Sequence, residues 1–141
     1  DAPTAITRLI DMGVEPFLVA SSVKLIVAQR LVRTLCLHCK AREPQRPEQL
    51  EELSLKKNGG KYFAPVGCSR CHTTGYDGRS AVYEMLSIDN GLAESIARGG
   101  TASEIRTQSV SRGGKTLRDA ALRKASLSIT SLDEVIRETT A

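Results

Sequence analysis

The 141-residue sequence has no tryptophan, and aromatic residues make up only 4% of it. A hydrophobic core must therefore come from leucine, isoleucine, valine and alanine side chains. The most apolar stretch, residues 14–28, is interrupted by charged residues and a proline, and it is shorter than the roughly 20 residues that span a bilayer. We interpret this stretch as a helix buried on most sides. We expect a soluble intracellular protein with no signal peptide and no transmembrane segment.

No long segment has a strong excess of one charge sign. Residues 1–35 carry 4 basic and 3 acidic groups, residues 36–78 carry 7 and 5, and residues 79–141 carry 9 and 8. A nucleic-acid-binding arm would concentrate the net charge of +4 in one segment. We therefore expect no nucleic-acid partner.

The phosphate-binding loop G-x-x-x-x-G-K-[ST] is also missing. Residues 113–116, Gly-Gly-Lys-Thr, end in the same way, but Ser109 stands where the first glycine is required. A glycine break between two helices explains this segment. No acidic residue ends an apolar strand where it could hold Mg²⁺. We therefore expect no catalytic and no nucleotide-binding residues in this chain.

The sequence does contain two C-x-x-C pairs, Cys36 with Cys39 and Cys68 with Cys71, which hold all of its cysteines. Two such pairs can place four thiolates at the corners of a tetrahedron around a zinc ion. We predict a structural Zn²⁺ site with these four ligands and no open position for catalysis. The pairs are separated by 28 residues, more than is usual, so we expect an excursion between them.

Other interpretations of the cysteines stay open. Four thiolates can also hold iron, form disulfides or act as redox pairs. The cytosolic character of the chain disfavours disulfides, and no thioredoxin-like βαβ pattern surrounds either pair. A histidine could also replace one thiolate, and His38 and His72 lie beside the cysteines. We interpret both histidines as lying outside the ligand shell or facing solvent.

The apolar and turn residues predict short elements throughout the chain. Asp1, Asp89, Thr101 and Ser131 are predicted to cap helices. The predicted helices cover 1–12, 16–28, 47–57, 90–97, a segment starting at 101, 116–127 and a segment starting at 131. The predicted strands cover 31–35, 61–66 and 79–86.

These elements predict an α+β fold that is mainly helical. Strand 61–66, the second cysteine pair, the turn 73–78 and strand 79–86 predict a zinc-ribbon-like hairpin. Gly75 and Gly78 would supply the positive φ angles that its turn needs. The helices after residue 89 predict a small C-terminal bundle packed against the ribbon.

Several phrases in one order resemble the C-terminal part of the ATPases of type II secretion and type IV pilus assembly, the general secretory pathway protein E family. The phrases are AITRL at 5–9, DMGVEPF at 11–17, AQRLVR at 28–33, GC at 67–68, GYDGR at 75–79, YE at 83–84 and TSLDEV at 130–135. The four cysteines lie between them, and the resemblance covers nearly the whole chain.

The resemblance implies that residues 1–35 are the last elements of a RecA-like motor domain. It implies that residues 36–78 form the tetracysteine zinc subdomain and that residues 79–141 form the return strand and the C-terminal helical domain. The parent would be a cytoplasmic hexamer that holds ATP and Mg²⁺ in its motor domain. It would lie at the inner membrane through secretion or pilus platform proteins, and its partners would be the rest of the motor subunit and neighbouring subunits.

We therefore expect this chain to be a noncatalytic, zinc-stabilised part of such a motor, serving type II protein secretion or type IV pilus assembly. The alternative is a standalone zinc-ribbon adaptor that binds nucleic acid or a protein partner. Arg30 and Arg33 could lie near the nucleotide edge of the motor. Arginines at such positions more often pair with carboxylates or carbonyls, so we do not assign them to the site.

Overall fold

The computed structural model of the chain describes residues 1–56 and 60–140. Within these ranges the fold is mixed α/β, with seven α-helices and four strands. The helices are α1 (Ala2–Asp11), α2 (Pro16–Ser22), α3 (Pro47–Glu52), α4 (Asn90–Ala97), α5 (Ala102–Ser111), α6 (Leu117–Ser126) and α7 (Leu132–Thr139). The strands are β1 (Leu25–Leu35), β2 (Ala41–Glu43), β3 (Tyr62–Ala64) and β4 (Tyr76–Ser87), and a 3₁₀ turn covers Ser69–Cys71.

The strands form two separate two-stranded sheets, β1 with β4 and β2 with β3. The second pair is antiparallel, with Arg42 opposite Phe63. In the first pair, the N–H of Cys36 donates to the carbonyl of Gly75 at 2.9 Å, so the end of β1 lies beside the start of β4. The predicted hairpin between strands 61–66 and 79–86 is therefore wrong, because each of these strands pairs with an earlier strand.

The long helix predicted over residues 14–28 is also wrong. α2 ends at Ser22, and residues 25–28 belong to β1. Exposed and half-buried residues alternate along 25–28, which is the period of a strand, and β-branched residues favour that conformation. The stretch is not buried on most sides either, since Phe17 is 60% exposed.

Four predicted helix starts are confirmed by side-chain caps. The caps are Asp1 to Thr4 N at 2.9 Å, Asp89 to Leu92 N at 2.9 Å, Thr101 to Glu104 N at 3.3 Å and Ser131 to Glu134 N at 3.1 Å, each side-chain oxygen accepting from the backbone N–H. α3 ends at Glu52, five residues before the predicted end at 57. The turn predicted at Asn58-Gly59 lies outside the described residues.

The chain divides into two compact units, each made of two segments. The first unit consists of Asp1–Gln29 and Tyr83–Leu117. α1, α2, α4 and α5 supply most of its core, which β4 completes. The buried residues of this core are Ala2, Ile6, Val19, Ala20, Leu86, Leu92, Ile96 and Ile105.

The second unit consists of Arg30–Val82 and Arg118–Ala141 and contains all four cysteines. Its buried apolar residues include Val32, Leu35, Leu53, Tyr62, Ala121, Ala125, Leu132 and Val135. The predicted single C-terminal bundle is not what forms, because α4 and α5 belong to the first unit and α7 to the second. The predicted division at 35 and 78 concerns the domains of a longer protein and stays a prediction.

Across the described ranges, no helix combines the length and the apolar character that crossing a membrane requires. The longest of these helices, α1, α5 and α6, have 10 residues each.

Candidate metal centre

The connections between the two sheets bring the cysteines together. The first C-x-x-C turn joins β1 to β2, and the second joins β3 to β4. Because β1 pairs with β4 and β2 pairs with β3, both turns lie at neighbouring ends of the strand pairs. The stretch between the turns runs through β2, α3 and β3 and returns to its starting point. The predicted excursion between the cysteine pairs is thereby confirmed.

The four sulfur atoms lie within 4.8 Å of one another. Cys36 Sγ is 3.9 Å from Cys68 Sγ, and Cys71 Sγ is 3.8 Å from the Sγ atoms of Cys39 and Cys68. A tetrahedral zinc ion with Zn–S bonds of about 2.3 Å places its sulfur ligands about 3.8 Å apart. The cluster could therefore hold a metal ion, and its dimensions fit zinc bound by four thiolates.

None of the cysteines forms a disulfide. The sulfur–sulfur distances of 3.8–3.9 Å are far longer than a disulfide bond of about 2.05 Å. Cys36 and Cys71 are buried, and Cys39 and Cys68 are half-buried. The disulfide alternative therefore does not describe this arrangement.

Backbone N–H groups donate to two of the sulfurs. Gly67 N–H donates to Cys39 Sγ at 3.3 Å, and the N–H groups of Cys68 and Gly75 donate to Cys71 Sγ at 3.2 Å. Burial raises the pKa of Cys71, but these donors and the neighbouring sulfurs together lower it by more, to about 6. For Cys39, burial raises the pKa to about 11, although its one backbone N–H donor, Gly67, acts to lower it. N–H donors stabilise a thiolate, which is the form that binds a metal.

Glycines let the backbone approach closely around the second cysteine pair. Gly75 has a φ of +74°, and a Cβ at this position would lie 2.4 Å from the Cβ of Pro65. Gly67 has a φ of +109°, and its Cβ would lie 2.6 Å from the carbonyl oxygen of Thr73. Gly78 also has a positive φ, of +76°, but open space around it. The predicted positive φ angles of Gly75 and Gly78 are confirmed, whereas Gly67 was missed.

The two histidines do not belong to the sulfur cluster. His38 is exposed, with its Nε2 atom 3.0 Å from Arg70 Nη1. His72 is exposed and adopts a left-handed conformation after the 3₁₀ turn. Both residues are exposed to solvent, as one of the two predicted placements required. Their place outside the ligand set of a bound metal stays a prediction.

A buried carboxylate, missed by the sequence analysis, lies in the second unit. The side chain of Glu134, on α7, has no exposed surface. It accepts hydrogen bonds from Arg33 N–H at 2.9 Å, Arg33 Nη2 at 2.7 Å and Arg137 Nη2 at 3.0 Å. Burial raises the pKa of Glu134, but the Arg33 hydrogen bonds and the two arginine charges together lower it by more, to below 4.5. The prediction that Arg33 pairs with a carboxylate is confirmed.

The same arginine connects this carboxylate to the strand that follows the second cysteine turn. The Arg33 guanidinium lies 4.0 Å from the centroid of the Tyr76 ring. The Tyr76 hydroxyl bonds to Ser131 Oγ at 2.7 Å, and Ser131 caps α7. Since Tyr76 directly follows Gly75, this network ties α7 to the backbone that donates to Cys71.

The Gly-Gly-Lys-Thr segment joins α5 to α6, and it follows a helix instead of a strand. Gly113 has a φ of +88°, and Gly114 N–H donates to the carbonyl of Ser109 at 2.9 Å. A glycine with positive φ and a backbone hydrogen bond back to the last turn are both typical of the C-terminal end of a helix. They agree with the interpretation of this segment as a break between helices.

Positive charge is concentrated in one of the two folded units, although the consecutive segments of the sequence show no such concentration. The first unit carries 6 basic and 7 acidic residues, whereas the second carries 14 basic and 9 acidic residues. The unit that holds the cysteines therefore has a net charge of +5. The even charge distribution read from consecutive segments does not describe the folded chain.

These observations define a small mixed α/β protein with a four-cysteine cluster, capable of holding a metal ion, where two strand pairs meet. The sequence matches the family described as "Type II/IV secretion system protein" over residues 1–137. The chain belongs to this family, and the resemblance drawn from its residues is confirmed.

Individual relatives agree with this assignment. The type IV pilus assembly ATPase PilB of Thermus thermophilus is 42% identical over 142 residues, which covers 99% of this chain and 16% of the relative. PilB of Myxococcus xanthus is 39% identical over 99% of this chain and 25% of its own length. The type II secretion system protein E of Klebsiella pneumoniae is 40% identical over 96% of this chain and 27% of its own length. The chain thus spans only about a sixth to a quarter of these relatives.

Proposed function

We propose that this chain is the noncatalytic, zinc-stabilised C-terminal part of a hexameric cytoplasmic ATPase that powers type II protein secretion or type IV pilus assembly. The observation that carries the proposal is the match over residues 1–137 to the family described as "Type II/IV secretion system protein". Relatives named type IV pilus assembly ATPase and type II secretion system protein E support it. The chain spans only 16–27% of those relatives, which supports a role as one part of a larger motor.

Within that motor, we place the nucleotide site outside this chain. It has no G-x-x-x-x-G-K-[ST] sequence, so ATP and Mg²⁺ would be held by other parts of the parent. Residues 1–35 would form the last elements of a RecA-like domain, 36–78 the zinc subdomain and 79–141 the return strand and helical end. The partners would be the rest of the subunit, neighbouring subunits and inner-membrane platform proteins.

In this proposal Cys36, Cys39, Cys68 and Cys71 hold one Zn²⁺ ion. The ion supplies a crosslink between strand ends, and four protein ligands leave no position for a substrate. The chain's own contribution is the geometry of the two turns and the N–H groups that Gly67, Cys68 and Gly75 direct at the sulfurs.

Elemental analysis and an ATPase assay test the proposal on the purified chain. We expect one zinc per chain, less than about 0.2 zinc per chain in Cys68→Ser, and full occupancy in the matched control His72→Ala. We expect no ATP hydrolysis above a chelated blank. Iron in place of zinc, or turnover by the chain alone, would contradict the respective part of the proposal.

The role in a motor needs a second test. A chimera would carry this chain in place of the matching region of the Klebsiella pneumoniae protein E, and secretion would be measured in cells lacking the native protein. We expect the chimera to restore secretion and the chimera with Cys36→Ser and Cys68→Ser to lose it. A chimera that accumulates but restores nothing would count against the proposed role.

A nucleic-acid-binding adaptor is the second candidate, and one observation favours it. The net charge of +5 is concentrated in the unit that holds the cysteines. Filter binding of a labelled oligonucleotide across salt concentrations separates the two functions, because contacts to phosphates weaken steeply as salt rises. Tight binding with a steep salt dependence would favour the adaptor.

A further inference from the structure

We propose that one face of the β2–β3 strand pair is a docking surface for an acidic, aliphatic segment of a protein partner. The inference uses only the charge and shape of the second unit, so it does not rest on the proposed secretion function. We call this surface the ribbon face. It consists of Lys40, Arg42, Lys61 and Phe63, with Leu37 and Val66 at the adjoining cysteine turns.

The strand register places these side chains together. Arg42 is directly opposite Phe63, and directly opposite residues of a strand pair share one face. Lys40 Nζ lies 5.3 Å from the centroid of the Phe63 ring, which puts it on the same face. Lys61 directly precedes β3 and is two residues before Phe63, and we assign it to the same side from the two-residue period of the strand. On the opposite face, Tyr62 is buried and its partner Glu43 is half-buried.

The cations of the ribbon face are available to a partner. Arg42 and Lys61 are exposed, and in the described part of the chain neither has a carboxylate within 4.0 Å. The nearest acidic residue in β2, Glu43, pairs with Arg46 at 3.2 Å. Lys40 Nζ donates to the carbonyl of Ser128 at 2.8 Å, which holds its charge beside the ring. An acidic chain would therefore meet positive charge without displacing an existing ion pair of Arg42 or Lys61.

The cysteine turns add apolar contact area at the end of the strand pair. Leu37 is 77% exposed and Val66 is 63% exposed. Gly67 N–H donates to Cys39 Sγ at 3.3 Å, so the segment carrying Val66 is hydrogen-bonded to the turn that carries Leu37. Burial of such exposed aliphatic side chains against a partner stabilises the complex. Cations beside exposed aliphatic groups match a segment of Asp or Glu mixed with Leu or Val.

The same contacts favour a protein segment over a nucleic acid. Sequence-independent binding of single strands uses aromatic rings on which bases stack. The one aromatic ring of the ribbon face, Phe63, already has the Lys40 ammonium beside it. Leu37 and Val66 offer nothing to a phosphate backbone, whereas they would contact the aliphatic side chains of a peptide.

Fluorescence anisotropy of the zinc-loaded chain tests the inference. The probe is a labelled peptide of alternating Glu and Leu or Val residues, and a peptide with Lys in place of Glu is its control. A labelled thymidine oligonucleotide and vesicles of phosphatidylglycerol are the competing probes. We expect the acidic peptide to bind at least about tenfold more tightly than the lysine peptide and the oligonucleotide, and to bind without vesicles.

Matched variants separate the ribbon face from overall charge. We expect Arg42→Glu with Lys61→Glu to weaken peptide binding at least about tenfold. The control, Arg8→Glu with Lys115→Glu, makes the same charge change on exposed residues of the first unit and should change binding less than about twofold. We expect Leu37→Ser with Val66→Ser to weaken binding about threefold or more, and the exposed pair Met12→Ser with Leu18→Ser to have no effect. Zinc content and circular dichroism establish that each variant is folded.

Three results would overturn the inference. The first is equal weakening by both charge-reversal pairs, which would mean that only net charge matters. The second is tighter binding of the oligonucleotide or the vesicles than of the acidic peptide. The third is undiminished binding by the serine variants at 37 and 66, which would remove the aliphatic part of the surface.

Discussion

At the scale of single residues, Gly75 shows how closely the chain approaches itself beside the cysteines. It combines a φ of +74° with a distance of 2.4 Å from a would-be Cβ to the Cβ of Pro65. Gly78 has nearly the same φ, +76°, but nothing within 4 Å of its would-be Cβ. The two glycines therefore separate the cost of backbone conformation from the cost of a steric collision.

We predict that Gly75→Ala lowers the free energy of unfolding by about 3 kcal/mol, because strain at positive φ and overpacking against Pro65 add together. Gly78→Ala should cost about 1 kcal/mol, since only the φ strain applies. Urea denaturation of the zinc-loaded variants measures both values. Equal costs would show that Pro65 moves away freely.

Glu134 is the buried carboxylate whose pKa is lowered by its arginine partners. A group whose folded pKa lies below its unfolded value of 4.5 stabilises the fold above that value, and its contribution is lost as pH falls through the folded pKa. We predict that Glu134→Gln costs about 2 kcal/mol at pH 7. The reason is that the buried side chain loses its charge and one acceptor oxygen, and it places an N–H donor against the donors of Arg33 and Arg137, which are 35% and 54% exposed. The difference from the unmodified chain should shrink as pH falls below 4.5.

Urea denaturation of the Glu134→Gln variant and of the unmodified chain between pH 3 and pH 7 measures the difference in their free energies of unfolding. Both proteins contain the same cysteines, so the effect of acid on the cysteines cancels in this difference. Glu138→Gln is the matched control, since Glu138 also pairs with Arg137, at 2.9 Å, but keeps 22% of its side chain exposed. We expect a cost of about 0.5 kcal/mol or less for this partly exposed pair. A pH-independent cost at Glu134 would contradict the role given to its charge.

The residues that could be predicted from sequence are those whose partners are near in the chain or share a fixed spacing. The cysteines were identified because two residues separate the cysteines within each pair and because the two pairs contain every cysteine of the sequence. Glu134 was identified only as part of a helix start, because Arg33, its main partner, lies 101 positions away. Gly67 was missed because its constraint is the carbonyl of Thr73, which no local pattern reveals.

At the scale of elements, the capping box of α5 illustrates what local sequence controls. Thr101 Oγ1 accepts from Glu104 N–H at 3.3 Å, and Glu104 Oε2 accepts from Thr101 N–H at 2.7 Å. Both bonds join residues three positions apart, so the four residues 101–104 predict the start of the helix without any tertiary contact.

We predict that Thr101→Ala destabilises the chain by about 1 kcal/mol through loss of this cap. Thr107→Ala, in the same helix, should be neutral or slightly stabilising, because alanine is the better helix former and Thr107 is exposed. Thermal unfolding of the two variants makes the comparison. A larger cost at Thr107 than at Thr101 would be inconsistent with the capping box.

The elements that could not be predicted are those decided by pairing partners. Residues 14–28 contain enough apolar residues for a helix, yet residues 25–28 pair in β1. Likewise strands 61–66 and 79–86 were placed to within a few residues of β3 and β4, but their partners were assigned wrongly. β1 begins six residues before the predicted strand 31–35, and β2 was not predicted. Strand pairing depends on contacts between distant segments, which apolar periodicity does not encode.

At the scale of the whole molecule, the sulfur cluster joins the ends of four strands. Structural zinc sites contribute roughly 10–16 kcal/mol in finger peptides, about as much as the entire stability of a domain. We predict that removing the proposed zinc ion with a chelator speeds hydrogen exchange at Gly67, Cys68 and Gly75 by at least about tenfold, because their N–H groups donate to the sulfurs.

Hydrogen-exchange mass spectrometry with and without chelator measures this effect. The Cys68→Ser variant should show the fast pattern before any chelator is added, and re-addition of zinc should restore protection only in the unmodified chain. Unchanged exchange in these turns after metal removal would mean that the turns hold their conformation without an ion.

The distribution of charge in the folded molecule differs from its distribution along the sequence. Consecutive segments carry excesses of only one or two positive charges, whereas the second unit collects two separated segments and reaches +5. The concentration arises because the chain leaves this unit at Val82 and re-enters it at Arg118. A count along the sequence cannot detect it.

That return path also limits how the protein can be taken apart. Neither unit is one uninterrupted stretch, so no single truncation isolates either of them. Deleting residues 118–141 keeps every segment of the first unit but leaves residues 30–82 attached, and deleting residues 1–29 keeps the second unit but leaves residues 83–117 attached. Transplanting the whole second unit into another scaffold would therefore require two separate segments of the chain, although the four thiols themselves lie within one of them.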